Sequence, residues 1–107
     1  MSDFGYKLTA KAEADLDEIV FYIAAGLDNQ RAATDFLPKL QDAINDIRSF
    51  PESGALVENE FLPYKTIRKK HVGNYIMYYL PNQKENMIYV LRILYGRRNL
   101  DEILREI

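Results

Sequence analysis

Basic side chains, which could bind an anion or stabilise developing negative charge, are concentrated in one part of the sequence. Residues 65–98 hold eight lysines and arginines against one acidic residue, whereas residues 1–64 hold five basic residues against twelve acidic ones. The eight cations are Lys65, Arg68, Lys69, Lys70, Lys84, Arg92, Arg97 and Arg98. The formal net charge of the chain is only −2, so the segregation of charge, and not its average, predicts an anionic partner.

Partners for acid–base or metal chemistry are scarce. The chain has no cysteine and a single histidine, His71, which we assign to a hairpin turn and interpret as a plain surface residue. The acidic half includes Glu13, Asp17, Asp42 and Asp46 with no histidine beside them, and this pattern is typical of a solvated face. The sequence therefore predicts no metal site and no cofactor.

Two amphipathic helices precede the basic region. Apolar residues recur at three- and four-residue spacing over residues 16–27, which predicts the first helix. Thr9 is placed to cap its start, and Gly26 marks its end. A second such pattern covers residues 33–47, and the short link between the two predicts an antiparallel helical hairpin. Pro38 lies inside the second pattern, where it removes a backbone hydrogen bond at a cost of about 3 kcal/mol, and it predicts a kink or a break.

Strand patterns surround the hairpin. The predicted strands are residues 6–8, 64–68, 75–80 and 87–95, with turns at 71–74 and 81–86. Residues 87–95 are apolar on both faces, which is typical of a central strand covered by the hairpin. After Gly96, a capping-box pattern from Asn99 to Glu102 predicts a short helix over residues 100–107.

These elements predict one domain of the α+β class over residues 1–107. Its parts are an N-terminal strand, an α-helical hairpin packed on a small, mainly antiparallel sheet, and a short C-terminal helix. A chain of 107 residues is too short to hold two cores. It has no run of 18 apolar residues and no charged-then-apolar leader, so we expect no membrane contact and a cytoplasmic location.

Two segments carry a resemblance to a known family. Residues 8–16 read Leu-Thr-Ala-Lys-Ala-Glu-Ala-Asp-Leu, and residues 90–98 read Val-Leu-Arg-Ile-Leu-Tyr-Gly-Arg-Arg. Together with the order of elements, they resemble the ParE branch of the ParE/RelE toxin superfamily nearly end to end. The opening segment through Ile23 is the more characteristic half. The resemblance implies the toxin of a type II toxin–antitoxin system, which a cognate antitoxin protein neutralises.

Two activities divide this superfamily: RelE-like members cut messenger RNA in the ribosome, whereas ParE-like members act on DNA gyrase. RNA cleavage needs a base, an acid and cations, and the resemblance offers Lys69, Arg97 and Arg98 as the cations. The tyrosines that could substitute for the acid or base are Tyr75, Tyr78 and Tyr79. However, Ile76 stands where RelE-like nucleases typically place an arginine, and no tyrosine or histidine follows residue 95.

We therefore expect inhibition of gyrase by binding, without catalysis. The candidate gyrase contacts are Arg92, Arg97, Arg98, Leu100 and Leu104, because positive charge and an apolar helix side are concentrated there. A ribosome-dependent mRNA interferase, and an inactive member that keeps only antitoxin binding, are the alternatives.

The helical hairpin is the expected contact surface for the antitoxin. A hairpin on one face of a sheet leaves a strand edge and a groove, and these recruit strands and amphipathic helices from a partly disordered tail. Phe21 and Tyr22 flank the apolar stripe of the first helix, and Phe36 lies on the second helix, so we expect these three to face the antitoxin. The sequence leaves open whether the pair forms a heterodimer or a heterotetramer.

Overall fold

The computed structural model describes residues 3–25, 30–57 and 66–96, and for residues 30–34 it describes the backbone alone. The described chain forms strand β1 (Gly5–Leu8), helices α1 (Ala10–Ala24) and α2 (Gln30–Ser49), a 3₁₀ turn (Pro51–Ser53), and strands β2 (Ala55–Leu56), β3 (Arg68–Val72), β4 (Tyr75–Asn82) and β5 (Met87–Tyr95). The strands form one sheet in the order β1-β5-β4-β3-β2. β1 runs parallel to β5, and the other neighbours are antiparallel.

The predicted α+β class is confirmed, and β5 is an interior strand between β1 and β4, covered by the helices on one face, whereas β4 is the middle strand of the five. Both helices pack on one face of the sheet, where their apolar stripes meet the inward side chains of β3, β4 and β5. This main core contains Ile19 and Ile23 of α1, Ile47 of α2, and Met77 and Val90 of the sheet. Neither α1 nor α2 is long and apolar enough to span a membrane. The predicted C-terminal helix and Gly26 lie outside the described residues.

Thr9 caps α1 as predicted, and it also ties the helix to the sheet. Its Oγ1 accepts a hydrogen bond from the Ala12 N–H at 3.2 Å and donates one to the Leu91 carbonyl at 3.0 Å. One hydroxyl thus satisfies an orphan donor of the first turn and links the start of α1 to the centre of β5.

The predicted break at Pro38 is wrong, because α2 continues from Gln30 to Ser49 across it. Pro38 is exposed, while Phe36 and Leu40 on either side of it are buried in the main core. Burial of Phe36 and Leu40 offsets the backbone hydrogen bond that Pro38 cannot make, since fully burying each large apolar side chain stabilises the fold by about 2 kcal/mol.

The strand boundaries differ from the predicted ones around both turns. β3 covers residues 68–72, so His71 and Val72 belong to a strand and the turn consists of Gly73 and Asn74 alone. Gly73 adopts a φ of +61°, which glycine reaches without strain. β4 continues through Pro81 to residue 82, because the register with β3 ends at residue 79 and no β3 neighbour needs the missing N–H.

The two-residue strand β2 and the 3₁₀ turn before it were not predicted from the sequence. Both are held by side chains of the sheet. Arg68 Nη1 donates to the Gly54 carbonyl at 2.7 Å, and the Tyr79 hydroxyl donates to the Pro51 carbonyl at 2.8 Å while accepting from the Gly54 N–H at 2.9 Å. A Cβ on Gly54 would lie 2.5 Å from the Lys69 carbonyl oxygen and from the Tyr79 hydroxyl, so only glycine fits there.

β5 contains one extra residue relative to β4. Tyr79 pairs with Val90 but Tyr78 pairs with Arg92, which leaves Leu91 without a partner on β4. Such a bulge resets the alternation of faces. Val90 before it and Ile93 after it both contribute to the core under the helices.

The opposite face of the sheet carries a second, smaller apolar cluster. Its buried members are Ile67, Ile76, Tyr78 and Leu94, and Val57, Leu80 and Leu91 pack against them.

Candidate partner-binding site

A groove opens between the helices and the end of the sheet where β3 turns into β4. It consists of two adjoining cavities of about 440 and 200 Å³ that share Tyr22, Tyr75 and Tyr95. The larger cavity is also lined by Ile23, Asp35, Phe36, Lys39, Val72, Gly73 and Asn74. The smaller cavity is also lined by Asp15, Glu18, Ile19, Ile93 and Leu94.

Three aromatic rings connect α2 and the sheet across this groove. Tyr75 begins β4 and Tyr95 ends β5, and the register of the sheet places them directly opposite each other. Their rings meet edge to face at 5.7 Å, and Tyr75 meets Phe36 of α2 in the same way at 5.2 Å. Aromatic rings favour this edge-to-face geometry, which occurs twice in succession along the groove.

A buried ion pair fixes α1 beside the groove. Arg92 Nε and Nη2 donate to the two carboxylate oxygens of Asp15 at 2.7 and 2.9 Å, and the Ile93 N–H donates to the same carboxylate at 3.1 Å. A bidentate arginine with an additional backbone donor satisfies a buried carboxylate well. Asp15 thus joins α1 to the bulge of β5, a role that the sequence pattern did not reveal.

The three predicted antitoxin contacts occupy different environments. Phe21 is 76% exposed on the outer side of α1, and Tyr22 is 48% exposed at the rim of the groove. Phe36 is only 5% exposed, because it lies in the floor of the groove against Tyr75. Phe21 and Tyr22 therefore form the accessible aromatic surface, and Phe36 supports it from below.

The basic residues of the sheet do not converge on one point. Lys69 pairs with Tyr78 and so lies on the face of the sheet that is turned away from the helices, whereas Tyr75 packs on the helix side. The nuclease candidates Lys69 and Tyr75 therefore lie on opposite faces of the sheet. Lys70 Nζ lies 3.8 Å from an Asp46 carboxylate oxygen of α2 and 3.4 Å from Ser53 Oγ. The side chain of Arg92 is 11% exposed, since Asp15 holds it against α1.

The remaining predicted target contacts, Arg97, Arg98, Leu100 and Leu104, lie outside the described residues.

The other two tyrosines offered as acid or base are fully buried on opposite faces of β4. Burial raises the pKa of Tyr78 above its ordinary value of 10.0. Burial also raises the pKa of Tyr79, although its hydrogen bonds with Gly54 and Ser53 and the charge of Arg68 act in the other direction. Both hydroxyls therefore stay protonated at neutral pH, and their depth in the two cores makes them packing residues.

The sequence did not reveal the groove residues Tyr95, Glu18 and Asp35. Tyr95 meets Tyr75 only because of the extra residue in β5. Counting back from the Asn82–Met87 pair without the bulge would have placed Tyr75 opposite Leu94. Glu18 and Asp35 carry no signal that separates them from the other exposed carboxylates on the two helices.

Solved structures with this architecture define the class of the fold. The chromosomal ParDE toxin–antitoxin system from P. aeruginosa is similar with a TM-score of 0.64 and 20% identity, over 86% of this chain and 95% of that one. The RelBE2 toxin–antitoxin complex from Mycobacterium tuberculosis is similar with a TM-score of 0.60 and 17% identity, over 87% and 98%. The archaeal RelE–RelB complex from Pyrococcus horikoshii is similar with a TM-score of 0.57 and 13% identity, over 92% and 100%. At these identities the likeness shows a RelE/ParE toxin fold.

Family membership follows from the sequence itself. The family model of the ParE toxin of the type II toxin–antitoxin system ParDE matches residues 6–100. The chain therefore belongs to the ParE toxin family, within the ParE/RelE superfamily of type II toxins. No curated protein sequence matches the chain.

Proposed function

We propose that this toxin inhibits DNA gyrase by binding it, without chemistry of its own, and that a cognate antitoxin neutralises it. The separation of the nuclease candidates is the observation that carries this proposal. Lys69 and Tyr75 lie on opposite faces of the sheet, and Tyr78 and Tyr79 are buried. General acid–base cleavage of RNA needs its groups within reach of one substrate, and these groups are not. The proposed targets lie in the cytoplasm, and so would the toxin.

The basic residues after β5 are the proposed contacts with gyrase. The gyrase contacts proposed from the sequence are Arg97, Arg98, Leu100 and Leu104. Arg92 has a different role here, because its ion pair with Asp15 uses its charge and buries it. We assign Arg92 to positioning the end of β5, which precedes the basic segment in the sequence.

A supercoiling assay with purified toxin tests the target. Arg97→Glu/Arg98→Glu should abolish inhibition of gyrase, because it reverses two charges at the proposed contact. Lys7→Glu/Lys84→Glu is the matched control: it makes the same change of charge at two exposed lysines elsewhere and should inhibit as well as wild type. Equal inhibition by all three proteins would exclude these arginines as the contact.

A translating extract supplied with messenger RNA separates the alternatives. Transcript cleavage by wild-type toxin, with gyrase unaffected, would establish the mRNA interferase. One feature favours that alternative. Lys69 and His71 are two residues apart on β3, so both lie on the face of the sheet that carries the second apolar cluster. Cleavage should then be lost in Lys69→Ala. Absence of both activities, and of growth inhibition on induced expression, would indicate an inactive member.

The groove and the outer side of α1 are the proposed antitoxin site. Phe21 and Tyr22 offer exposed aromatic surface, and the adjoining groove is large enough for side chains of an amphipathic segment. The solved relatives from M. tuberculosis and P. horikoshii are complexes of a toxin with its antitoxin. Both heterodimers and heterotetramers are compatible with one such site on each toxin.

Alanine substitution tests this site in the purified complex. Phe21→Ala/Tyr22→Ala should weaken antitoxin binding at least tenfold, because buried aromatic anchors contribute about 2 kcal/mol or more to an interface. Phe50→Ala is the control, since Phe50 is equally exposed, at 71%, but lines a different cavity beside the 3₁₀ turn. Unchanged affinity in the double variant, with the fold retained, would exclude this surface.

A further inference from the structure

We propose that the smaller cavity of the groove accepts an arginine side chain of the antitoxin, held between tyrosine rings and the Glu18 carboxylate. This inference rests on the proposed antitoxin site and specifies the chemistry of the segment that occupies it. The cavity has a volume of about 200 Å³, which suits one large side chain and not a folded element.

The lining of this cavity combines aromatic rings with negative charge. Tyr22, Tyr75 and Tyr95 contribute three rings, Asp15 and Glu18 contribute two carboxylates, and none of the described lining residues is basic. Arg92 already neutralises Asp15 through two hydrogen bonds. Among the described residues Glu18 has no ion-pair partner within 4 Å, so its charge is left to attract a cation from outside.

Tyrosine faces strengthen this preference for a cation. The negative π-face of an aromatic ring attracts a guanidinium group within about 6 Å of its centroid. Arginine fits better than lysine, because its planar group stacks on a ring while its N–H groups donate to a carboxylate in the same plane. Tyr22 and Tyr95 are both partly exposed at the rim, so a side chain can enter between them.

The surrounding surface favours a basic segment over an acidic one. Among the described side chains of α1 and α2, the exposed carboxylates are Glu13, Asp17, Glu18, Asp35, Asp42 and Asp46, against the exposed lysines Lys11 and Lys39 and the half-buried Arg48. Of these carboxylates, only Asp46 has an ion pair among the described residues, with Lys70. Lys39 lines the larger cavity and not the smaller one, so the cation is directed to the Glu18 side of the groove.

Arginine amide and its neutral isostere citrulline amide are the probes for the cavity itself. Each probe is titrated into toxin whose tyrosine rings are isotope-labelled, and the ring signals are followed by NMR. Arginine amide should shift the signals of Tyr22, Tyr75 and Tyr95. Citrulline amide should bind about fivefold more weakly, which is the scale of a partly exposed cation–π contact. Glu18→Gln should reduce the difference between the probes, and Asp42→Asn, an exposed carboxylate of α2 that does not line the groove, should preserve it in full. Equal binding of the two probes, or no ring shifts with arginine amide, overturns the proposal.

The antitoxin complex provides the second measurement and separates this proposal from the one on which it rests. Glu18→Gln should weaken antitoxin binding about tenfold at low salt and flatten its salt dependence, whereas Asp42→Asn, outside the proposed site, should match wild type. If Phe21→Ala/Tyr22→Ala loses antitoxin binding but Glu18→Gln does not weaken it, the proposed antitoxin site is supported and the proposed arginine in the smaller cavity is excluded. Unchanged antitoxin binding in both variants, with selective arginine amide binding, would keep the cation site and overturn the antitoxin assignment.

Discussion

Tyr79 and Tyr78 are neighbours in β4, both fully buried, and they belong to opposite faces of one sheet. On the helix side, the Tyr79 hydroxyl makes two hydrogen bonds to the segment around Gly54. On the other side, the Tyr78 hydroxyl has no hydrogen-bond partner among the described residues. Polar anchors, including Asp15 with Arg92, thus fix the position of the helices and the 3₁₀ turn, whereas the described part of the opposite face packs by apolar contact.

The largest effect should come from the ion pair on the helix side. Asp15→Ala should lower the free energy of unfolding by about 3–5 kcal/mol, because it leaves Arg92 buried without its carboxylate. Asp17→Ala, an exposed carboxylate two residues later on α1, should change it by less than about 0.5 kcal/mol. Urea denaturation measures both. Similar values for the two variants would mean that the ion pair does not anchor α1.

Removing the Tyr79 hydroxyl should have the next largest effect. Tyr79→Phe leaves the Gly54 N–H and the Pro51 carbonyl without their partner, and should lower the free energy of unfolding by about 1–3 kcal/mol. Hydrogen exchange at the Gly54 amide should accelerate in step with this loss. An unchanged exchange rate would show that water replaces the hydroxyl.

Alkaline pH should weaken both faces. The folded-state pKa of Tyr78 and of Tyr79 lies above 10.0, so an unfolded chain loses these protons at a lower pH than the folded one. Stability is therefore fully present below pH 10 and falls as pH rises through the folded-state values, by up to about 1.4 kcal/mol per pH unit for each tyrosine. Tyr78→Phe and Tyr79→Phe should each reduce this dependence of the free energy of unfolding on pH. If neither variant reduces it, these two tyrosines do not cause the loss of stability.

The smallest effect should come from the opposite face. Tyr78→Phe removes a hydroxyl to which no described residue hydrogen-bonds, so the free energy of unfolding should stay the same or rise by up to about 1 kcal/mol. The same denaturation series measures it beside Tyr79→Phe. A loss as large as that of Tyr79→Phe would reveal a hydrogen bond on the apolar face and abolish the contrast between the two tyrosines.

Periodicity in the sequence was sufficient for the main elements and insufficient for their register. The stripes of α1 and α2 and the apolar run of β5 predicted the hairpin and the central strand. No residue pattern marks Leu91 as the extra residue of the bulge, because leucine suits a regular strand equally well. The ring pair Tyr75–Tyr95 and the ion pair Asp15–Arg92 depend on that bulge, so the groove could not be assembled from the sequence.

The boundaries of short elements were unpredictable for a different reason. β2 has two residues and no periodicity of its own, and it exists because Arg68 and Tyr79 hold the turn before it. His71 looked like a turn residue beside Gly73 and Asn74, but a two-residue turn leaves it in the strand. In both cases contacts that are distant along the chain decided what a local pattern could not.

The parallel pairing of β1 with β5 has a consequence for synthesis of the toxin. The partners of Gly5–Leu8 are Met87–Val90, and the Thr9 hydroxyl donates to the carbonyl of Leu91, 82 residues later. A nascent chain therefore holds an unpaired first strand and an unmatched Asp15 until almost all of the matched region has left the ribosome. The sheet can therefore be completed only after β5 has been synthesised, because β1 has no other strand to pair with among the described residues.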